Sequence, residues 1–110
     1  MTLATPAQAQ PTEHATLVFE RVVPAPVAAV FNAFANASLR AEWGVPSGDE
    51  VIVYDAEHFA EGGEDRFRCG PRHDPNIQVS AGYIEIIENK RVVSMETIVI
   101  DGRRLCATLS

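Results

Sequence analysis

The sequence predicts an α+β domain in which a curved antiparallel sheet and two short helices enclose a cavity. Three observations support this prediction: a strand-like segment at residues 16–23, a proline-led helical segment that continues into a second short helix ending at Trp43, and a succession of strand-like segments from residue 50 onward. Helices gathered at one place beside an antiparallel run of strands are typical of α+β domains.

The length of 110 residues allows one small domain. Residues 1–15 are rich in Ala, Thr, Gln and Pro, and they lack the basic and apolar stretches of a signal peptide, so we expect a disordered leader followed by a domain over residues 16–110. The two cysteines, Cys69 and Cys106, form no C-x-x-C pair. These features favour a cytoplasmic protein with reduced thiols.

The formal net charge of −6 argues against a nucleic-acid partner, because proteins hold phosphate backbones mainly through Lys and Arg. No apolar run is long enough to cross a bilayer, so we expect no membrane partner.

The first elements follow from local pattern. Residues 16–23 (TLVFERVV) carry β-branched and aromatic side chains and predict a first strand, and Pro26 suits the first turn of a helix. Apolar residues then recur at helical spacing at Val27, Val30, Phe31 and Phe34. Asn36 and Ser38 both offer caps for a second helix over residues 38–43.

The rest of the chain predicts strands. They are expected at residues 50–55, 64–69, 77–87, 91–100 and 103–110. The pair Gly62-Gly63 marks a tight turn, Gly82 is expected to bend the long third segment, and Asp101-Gly102 suits a two-residue type I′ hairpin turn.

At these segments the chain resembles a known family. The stretches FERVVPAPVAAVFNAFANASLRAEWGVP, YDAEHFAEGGEDRFRCGP, GYIEIIENKRVVSMET and DGRRLCATLS are similar to bacterial SRPBCC proteins of the START-like superfamily. The nearest group is the one named for homology to the activator of the heat-shock protein 90 ATPase. The resemblance implies a helix-grip fold, in which the sheet wraps a ligand cavity.

In that family, one further strand and a long C-terminal helix close the domain, and this sequence ends before both. We therefore expect a C-terminally incomplete helix-grip domain with an uncovered sheet face, and self-association into a homo-oligomer through that face.

Six residues are candidates for ligand binding, and they combine apolar or aromatic surface with positions on the helices or on different strands. They are Phe34, Trp43, Tyr54, Phe67, Tyr83 and Met95. Matching positions in the family place Trp43 at the cavity mouth, and a packing anchor is the alternative role. The strand face that lines the cavity depends on the register, which the sequence leaves open.

The sequence contains no catalytic constellation that we can assign. Glu42 beside Trp43 is the first acidic residue to test as a general base, and a surface glutamate is the alternative. The histidines have no metal-ligand spacing, and neither a P-loop nor a dinucleotide-binding pattern is present, so we expect no metal and no cofactor.

We therefore expect a domain that binds a small, largely apolar molecule in the cavity. The resemblance leaves two alternatives open, because one scaffold carries several functions. One is a polyketide-cyclase-like or hydrolase-like enzyme that uses the same cavity, and the other is a co-chaperone-like protein-interaction module.

Overall fold

A computed structural model describes residues 13–45 and 47–110 of the chain. Two helices are followed by five strands: α1 Val27–Ala35, α2 Ala37–Trp43, β1 Glu50–Ala56, β2 Glu64–Pro71, β3 Ile77–Ile87, β4 Arg91–Ile100 and β5 Arg103–Leu109. The predicted α+β class is confirmed. Most of the predicted leader, residues 1–12, lies outside the described residues.

The five strands form one antiparallel sheet in which neighbours in sequence are neighbours in space, in the order β1-β2-β3-β4-β5. The hairpin between β4 and β5 turns at Asp101 (φ 49°) and Gly102 (φ 76°). Positive φ at both central residues is the geometry of the type I′ turn, whose twist matches that of the flanking strands. The two-residue turn predicted at this place is confirmed.

The sheet is curved, and two irregularities in its ladder contribute to the curvature. The β1–β2 register shifts between Tyr54 and Ala56, and the β3–β4 register shifts between Tyr83 and Glu85. An extra residue in one strand bends that strand and increases its twist. The second shift lies directly after Gly82, close to the bend predicted there.

Asn36 separates the two helices and caps the second one. Its side-chain oxygen accepts hydrogen bonds from the backbone N–H of Ser38 at 2.9 Å and of Leu39 at 3.4 Å. Since these donors have no partner inside the helix, the cap stabilises the start of α2. Of the two predicted caps, Asn36 is therefore the one used, and the helix begins one residue earlier than expected.

The strand predicted at residues 16–23 is wrong. The structure shows no regular element there, and its apolar side chains are exposed, with Phe19 at 87% and Val22 at 96%. β propensity alone does not form a strand, because each backbone N–H and C=O in a ladder needs a partner strand. Within the described residues, no strand of the sheet pairs with this segment, so the helices precede every strand.

The core lies on the concave side of the sheet, at its middle strands. Val79, Ala81 and Tyr83 of β3 are buried, and so are the polar residues Asp65 of β2 and Ser94 of β4. Successive side chains alternate between the two faces of a strand, so these residues share one face. A buried carboxylate and a buried hydroxyl are unusual in so small a core, so this region is a candidate functional site.

Candidate functional site

A cavity of about 1150 Å³ lies between the two helices and the concave face of the sheet. Its floor is built from alternate strand positions, which are Ile52 and Tyr54 on β1, Asp65, Phe67 and Cys69 on β2, Ile77, Val79, Ala81 and Tyr83 on β3, and Val92, Ser94, Glu96 and Ile98 on β4. The helices add Val30, Phe31, Phe34, Arg40 and Trp43. The walls are thus mainly apolar and aromatic, as is typical of sites for small molecules.

Five of the six residues proposed from the sequence line this cavity. Phe34 and Trp43 lie at its edge, where Trp43 is 52% exposed, and Tyr54, Phe67 and Tyr83 belong to the floor. The register explains the floor, because Tyr54 lies opposite Phe67, and Phe67 opposite Val79, all on one face.

Met95 is placed differently from the sequence prediction. It does not line the cavity, and 51% of its surface is exposed. Its neighbours Ser94 and Glu96 face the cavity, so Met95 points to the opposite side of β4. Met95 is therefore not part of the candidate site.

Trp43 joins the two helices to each other. Its indole Nε1 donates a hydrogen bond to the backbone oxygen of Ala33 at 2.9 Å, and its ring packs edge-on against Phe34 with centroids 5.0 Å apart. Trp43 is therefore a packing anchor between α1 and α2. The same residue also forms part of the cavity wall.

Aromatic rings continue from the helices to the floor. Phe59, in the loop between β1 and β2, contacts Phe31 of α1 at 5.9 Å and Tyr83 of β3 at 4.9 Å between ring centroids, both edge-on. Tyr54 and Phe67 lie 5.0 Å apart on the neighbouring strands. Ring pairs prefer edge-on or offset contacts, so these contacts stabilise the packing of the cavity walls.

A buried polar cluster lies at the centre of the floor, and it consists of Arg40, Asp65 and Tyr83. Arg40 Nη1 donates to Asp65 Oδ2 at 2.7 Å and also to the Tyr83 hydroxyl, while that hydroxyl donates to the same Asp65 oxygen. The side chains of Arg40 and Asp65 are 13% and 1% exposed. Each charge is therefore removed from water and compensated by the other.

The loop between β1 and β2 completes the coordination of Asp65. The backbone N–H of His58 donates to Asp65 Oδ1 at 2.8 Å, so both carboxylate oxygens have partners. Gly63 closes this loop, and a Cβ there would lie 2.4 Å from the backbone oxygen of His58. Only glycine fits this turn, which holds His58 on the carboxylate.

Burial raises the pKa of Tyr83, and the hydrogen bond to Asp65 raises it further. The hydroxyl therefore stays protonated at neutral pH and acts as a donor to the carboxylate. Burial also raises the pKa of Tyr54, which lies under the Arg40 guanidinium at 5.1 Å from the ring centroid. Both tyrosines are thus neutral members of the wall.

Glu96 brings a second carboxyl group into the cavity. It pairs across the sheet with Ala81, and Ala81 pairs with Asp65, so the two acids lie in one row on either side of a small residue. Glu96 is half-buried, and burial raises its pKa while the positive charge of Arg40 partly opposes the rise. Within residues 13–45 and 47–110, Glu96 has no ion-pair partner.

Four residues of the site were not predicted from the sequence: Arg40, Phe59, Asp65 and Glu96. Glu42, the first acidic residue to test as a general base, is exposed and does not line the cavity, as its alternative role of surface glutamate implies. Alternation would have placed Asp65 on the face of Phe67, and Glu96 on the face of Ser94, once that face was known to line the cavity. In the part of the chain that the structure describes, no three His, Cys, Asp or Glu residues are grouped as metal ligands.

Comparison with known proteins bears on the fold alone. No family model and no curated protein matches the chain. Among solved structures, the crystal structure of protein CV1439 from Chromobacterium violaceum is similar, with a TM-score of 0.62 at 18% identity over 76% of this chain and 69% of that chain. This likeness agrees with a helix-grip-like α+β fold, with five antiparallel strands and two short helices.

None of the helices in the described ranges has the length and apolar character that a membrane crossing requires.

Proposed function

We propose that this chain is an SRPBCC-type, START-like domain that binds a small, largely apolar molecule between its helices and its sheet. The cavity of about 1150 Å³ with mainly apolar walls is the observation that carries the proposal. Its volume is slightly above the roughly 300–1,000 Å³ common for ligand sites, so a small molecule fits within it. The unpaired thiols of Cys69 and Cys106 fit the reducing cytoplasm, where we place the protein.

Binding is driven by removal of apolar ligand surface from water, which contributes about 25 cal/mol for each Å² buried. The rings of Tyr54, Phe59 and Phe67 supply the apolar contact surface. The Arg40–Asp65–Tyr83 cluster supplies a fixed polar point that orients the ligand, because its groups hold each other in place before a ligand arrives.

The test uses two adjacent residues of β4 that point to opposite faces. Ile98 lines the cavity, whereas Val99 does not, and both are half-buried. We expect Ile98→Trp to weaken binding of the neutral apolar dye Nile red at least about fivefold, since a tryptophan occupies the ligand volume. Val99→Trp is the matched control and leaves the affinity unchanged. Equal affinity in both variants argues against the cavity as the binding site.

One observation favours a second candidate, an acid–base enzyme that uses the same cavity. Glu96 faces the cavity with a pKa raised by burial, beside a guanidinium that can stabilise developing negative charge. Hydrolysis of naphthyl acetate, measured for the unmodified protein and for Glu96→Gln, tests it. A rate that depends on Glu96 while Nile red binding stays constant supports the enzyme, and equal rates reject Glu96 as an acid–base group.

A further inference from the structure

We infer that the cavity selects neutral molecules with a carbonyl group, such as ketones and esters, over carboxylic acids of the same shape. Arg40 Nη2 is the donor that receives the carbonyl oxygen. The inference rests on the proposed ligand-binding function and names the ligand class of that same cavity.

The three nitrogens of the Arg40 guanidinium are in different situations. Nη1 is used twice, by Asp65 and by Tyr83. Nε is buried and has no hydrogen-bond partner in the described part of the chain. Nη2 is accessible to solvent, unlike Nε, and it makes no hydrogen bond with residues 13–45 or 47–110. Because Arg40 lines the cavity, Nη2 is the donor that a ligand can reach.

This arrangement disfavours the bidentate contact that arginine usually makes with a carboxylate. A bidentate contact needs two adjacent N–H groups, either Nη1 with Nη2 or Nε with Nη2. The first edge is occupied by Asp65 and Tyr83, and the second is closed because Nε is buried. One donor nitrogen remains, Nη2, whose two N–H groups point apart and therefore suit a single acceptor oxygen rather than both oxygens of a carboxylate.

The charges of the floor favour a neutral acceptor as well. Asp65 already balances Arg40 at 2.7 Å, and Glu96 and Glu50 add two further carboxyl groups to the cavity wall. Among the charged lining residues that are at least partly buried, three are carboxylates and one is a guanidinium, so an anionic ligand would meet a surplus of negative charge there. A ketone or ester oxygen carries no net charge and avoids this repulsion.

The positive charges at the rim do not offset that surplus. Three further cations line the cavity, Arg21, Lys90 and Arg91; all three are exposed to water, and Arg91 is paired with Glu85. Arg91 and Glu96 are five positions apart on the extended strand β4, which is about 17 Å. Exposed charges at that distance are largely screened at physiological ionic strength.

Contacts with two aromatic rings fix the orientation of the Arg40 guanidinium, which is the proposed donor to the ligand. The Arg40 guanidinium carbon lies 5.1 Å from the ring centroid of Tyr54 and 5.9 Å from that of Phe59. Attraction between the cation and these rings holds the group in place. The same rings can contact a flat apolar ligand. One molecule can therefore place its carbonyl oxygen on Arg40 and its apolar part against the rings.

The test compares three naphthalenes of the same shape with the unmodified protein: acetylnaphthalene, ethylnaphthalene and naphthoate, substituted at the same ring position and measured at neutral pH. A hydrogen bond from a charged donor predicts that the ketone binds about tenfold more tightly than the hydrocarbon. Naphthoate is expected to bind more weakly than the ketone. These comparisons need no variant, so a loss of folding cannot obscure them.

Glu96→Gln separates charge from shape. Removing this carboxylate is expected to strengthen naphthoate binding at least severalfold while the affinity for ethylnaphthalene stays the same. Glu88→Gln, in the exposed β3–β4 hairpin, removes the same charge outside the cavity and should change neither. Equal affinity for ketone and hydrocarbon, or tighter binding of naphthoate, overturns the inference and leaves the ligand-binding proposal standing. Binding of none of the three overturns both.

Discussion

Arg40 on α2 donates from Nη1 to Oδ2 of Asp65 on β2 across 2.7 Å, and this ion pair joins the helices to the floor of the cavity. The Tyr83 hydroxyl contacts both partners, so three elements of the fold meet at one oxygen atom. The same groups thus hold the fold together and form the polar point of the proposed site.

The first prediction concerns this pair. We expect Arg40→Met to lower the free energy of unfolding by about 3–5 kcal/mol, because it leaves the Asp65 carboxylate buried without its counter-charge. That loss is large beside the total of about 5–15 kcal/mol typical of a folded domain. Urea unfolding at neutral pH, followed by circular dichroism, measures it.

Two further variants make that test specific. Arg68 pairs with Asp55 at 3.0 Å, but both side chains are exposed, so Arg68→Met should change stability little. The double variant Arg40→Met with Asp65→Leu should recover part of the loss, since no charge remains buried. If Arg40→Met and Arg68→Met lower the free energy of unfolding by the same amount, the buried ion pair of Arg40 does not stabilise the fold more than an exposed one.

The second prediction concerns the pH dependence caused by Glu96. Burial raises its pKa in the folded state, so the folded protein binds this proton more tightly than the unfolded chain does. Stability therefore falls as the pH rises from the unfolded pKa through the folded one, and ionised Glu96 destabilises the protein above that window. We expect Glu96→Gln to be more stable than the unmodified protein at neutral pH.

The difference should disappear below about pH 4, where a glutamate is protonated in both states. Urea unfolding of both proteins across this pH range provides the measurement. Glu88→Gln removes the same charge from the exposed hairpin and controls for net charge. A stability gain that persists unchanged into acid would contradict the assignment to Glu96 ionisation.

The third prediction concerns the start of α2. Asn36→Ala should cost about 1 kcal/mol of stability, because two backbone N–H groups lose their acceptor. Ser38→Ala removes a hydroxyl inside the helix, at a position that does not provide the cap, and should cost much less. Thermal unfolding of the two variants compares them directly, and equal losses would show that the cap is energetically minor.

The fourth prediction concerns the exposed segment at residues 17–23. Five apolar side chains of this short segment are exposed, and exposed apolar residues gathered in one place are typical of association sites: Leu17, Val18, Phe19, Val22 and Val23. We expect self-association that grows with protein concentration, and Phe19→Asp should reduce it. Sedimentation velocity over a concentration series measures it. Ile84→Asp, at a single exposed apolar residue outside the cavity, is the control, and a monomer at all concentrations would refute the prediction.

Local chemistry explains how much of the fold could be predicted from the sequence. Helical spacing placed the helices within a residue or two, and the turn residues Asp101 and Gly102 placed the last hairpin. Strand formation at residues 16–23 could not be judged in this way, since a strand exists only with a partner and partners are set by the tertiary fold.

The candidate site was less predictable for two physical reasons. The face of Met95 depends on strand register, and a shift of one residue reverses it. The polar cluster joins residues that are far apart in sequence: Arg40 is 25 positions from Asp65 and 43 positions from Tyr83. No local sequence motif therefore indicates the cluster. The aromatic residues Tyr54, Phe67 and Tyr83 could be proposed because their chemistry suits a pocket wherever it forms.

The helix layer meets the sheet along one side, since α1 packs on α2 and α2 packs on β1. The cavity therefore has a stiff wall, the hydrogen-bonded sheet with α2 tied to it by Arg40, and a second wall, α1, that packs on α2 rather than on a strand. A small shift of α1 would widen the space while the Arg40–Asp65 pair stays in place. The cavity would then accept ligands of different widths, but each ligand would have to place an oxygen atom beside Arg40. Discrimination among ligands would therefore depend on where their polar atom lies.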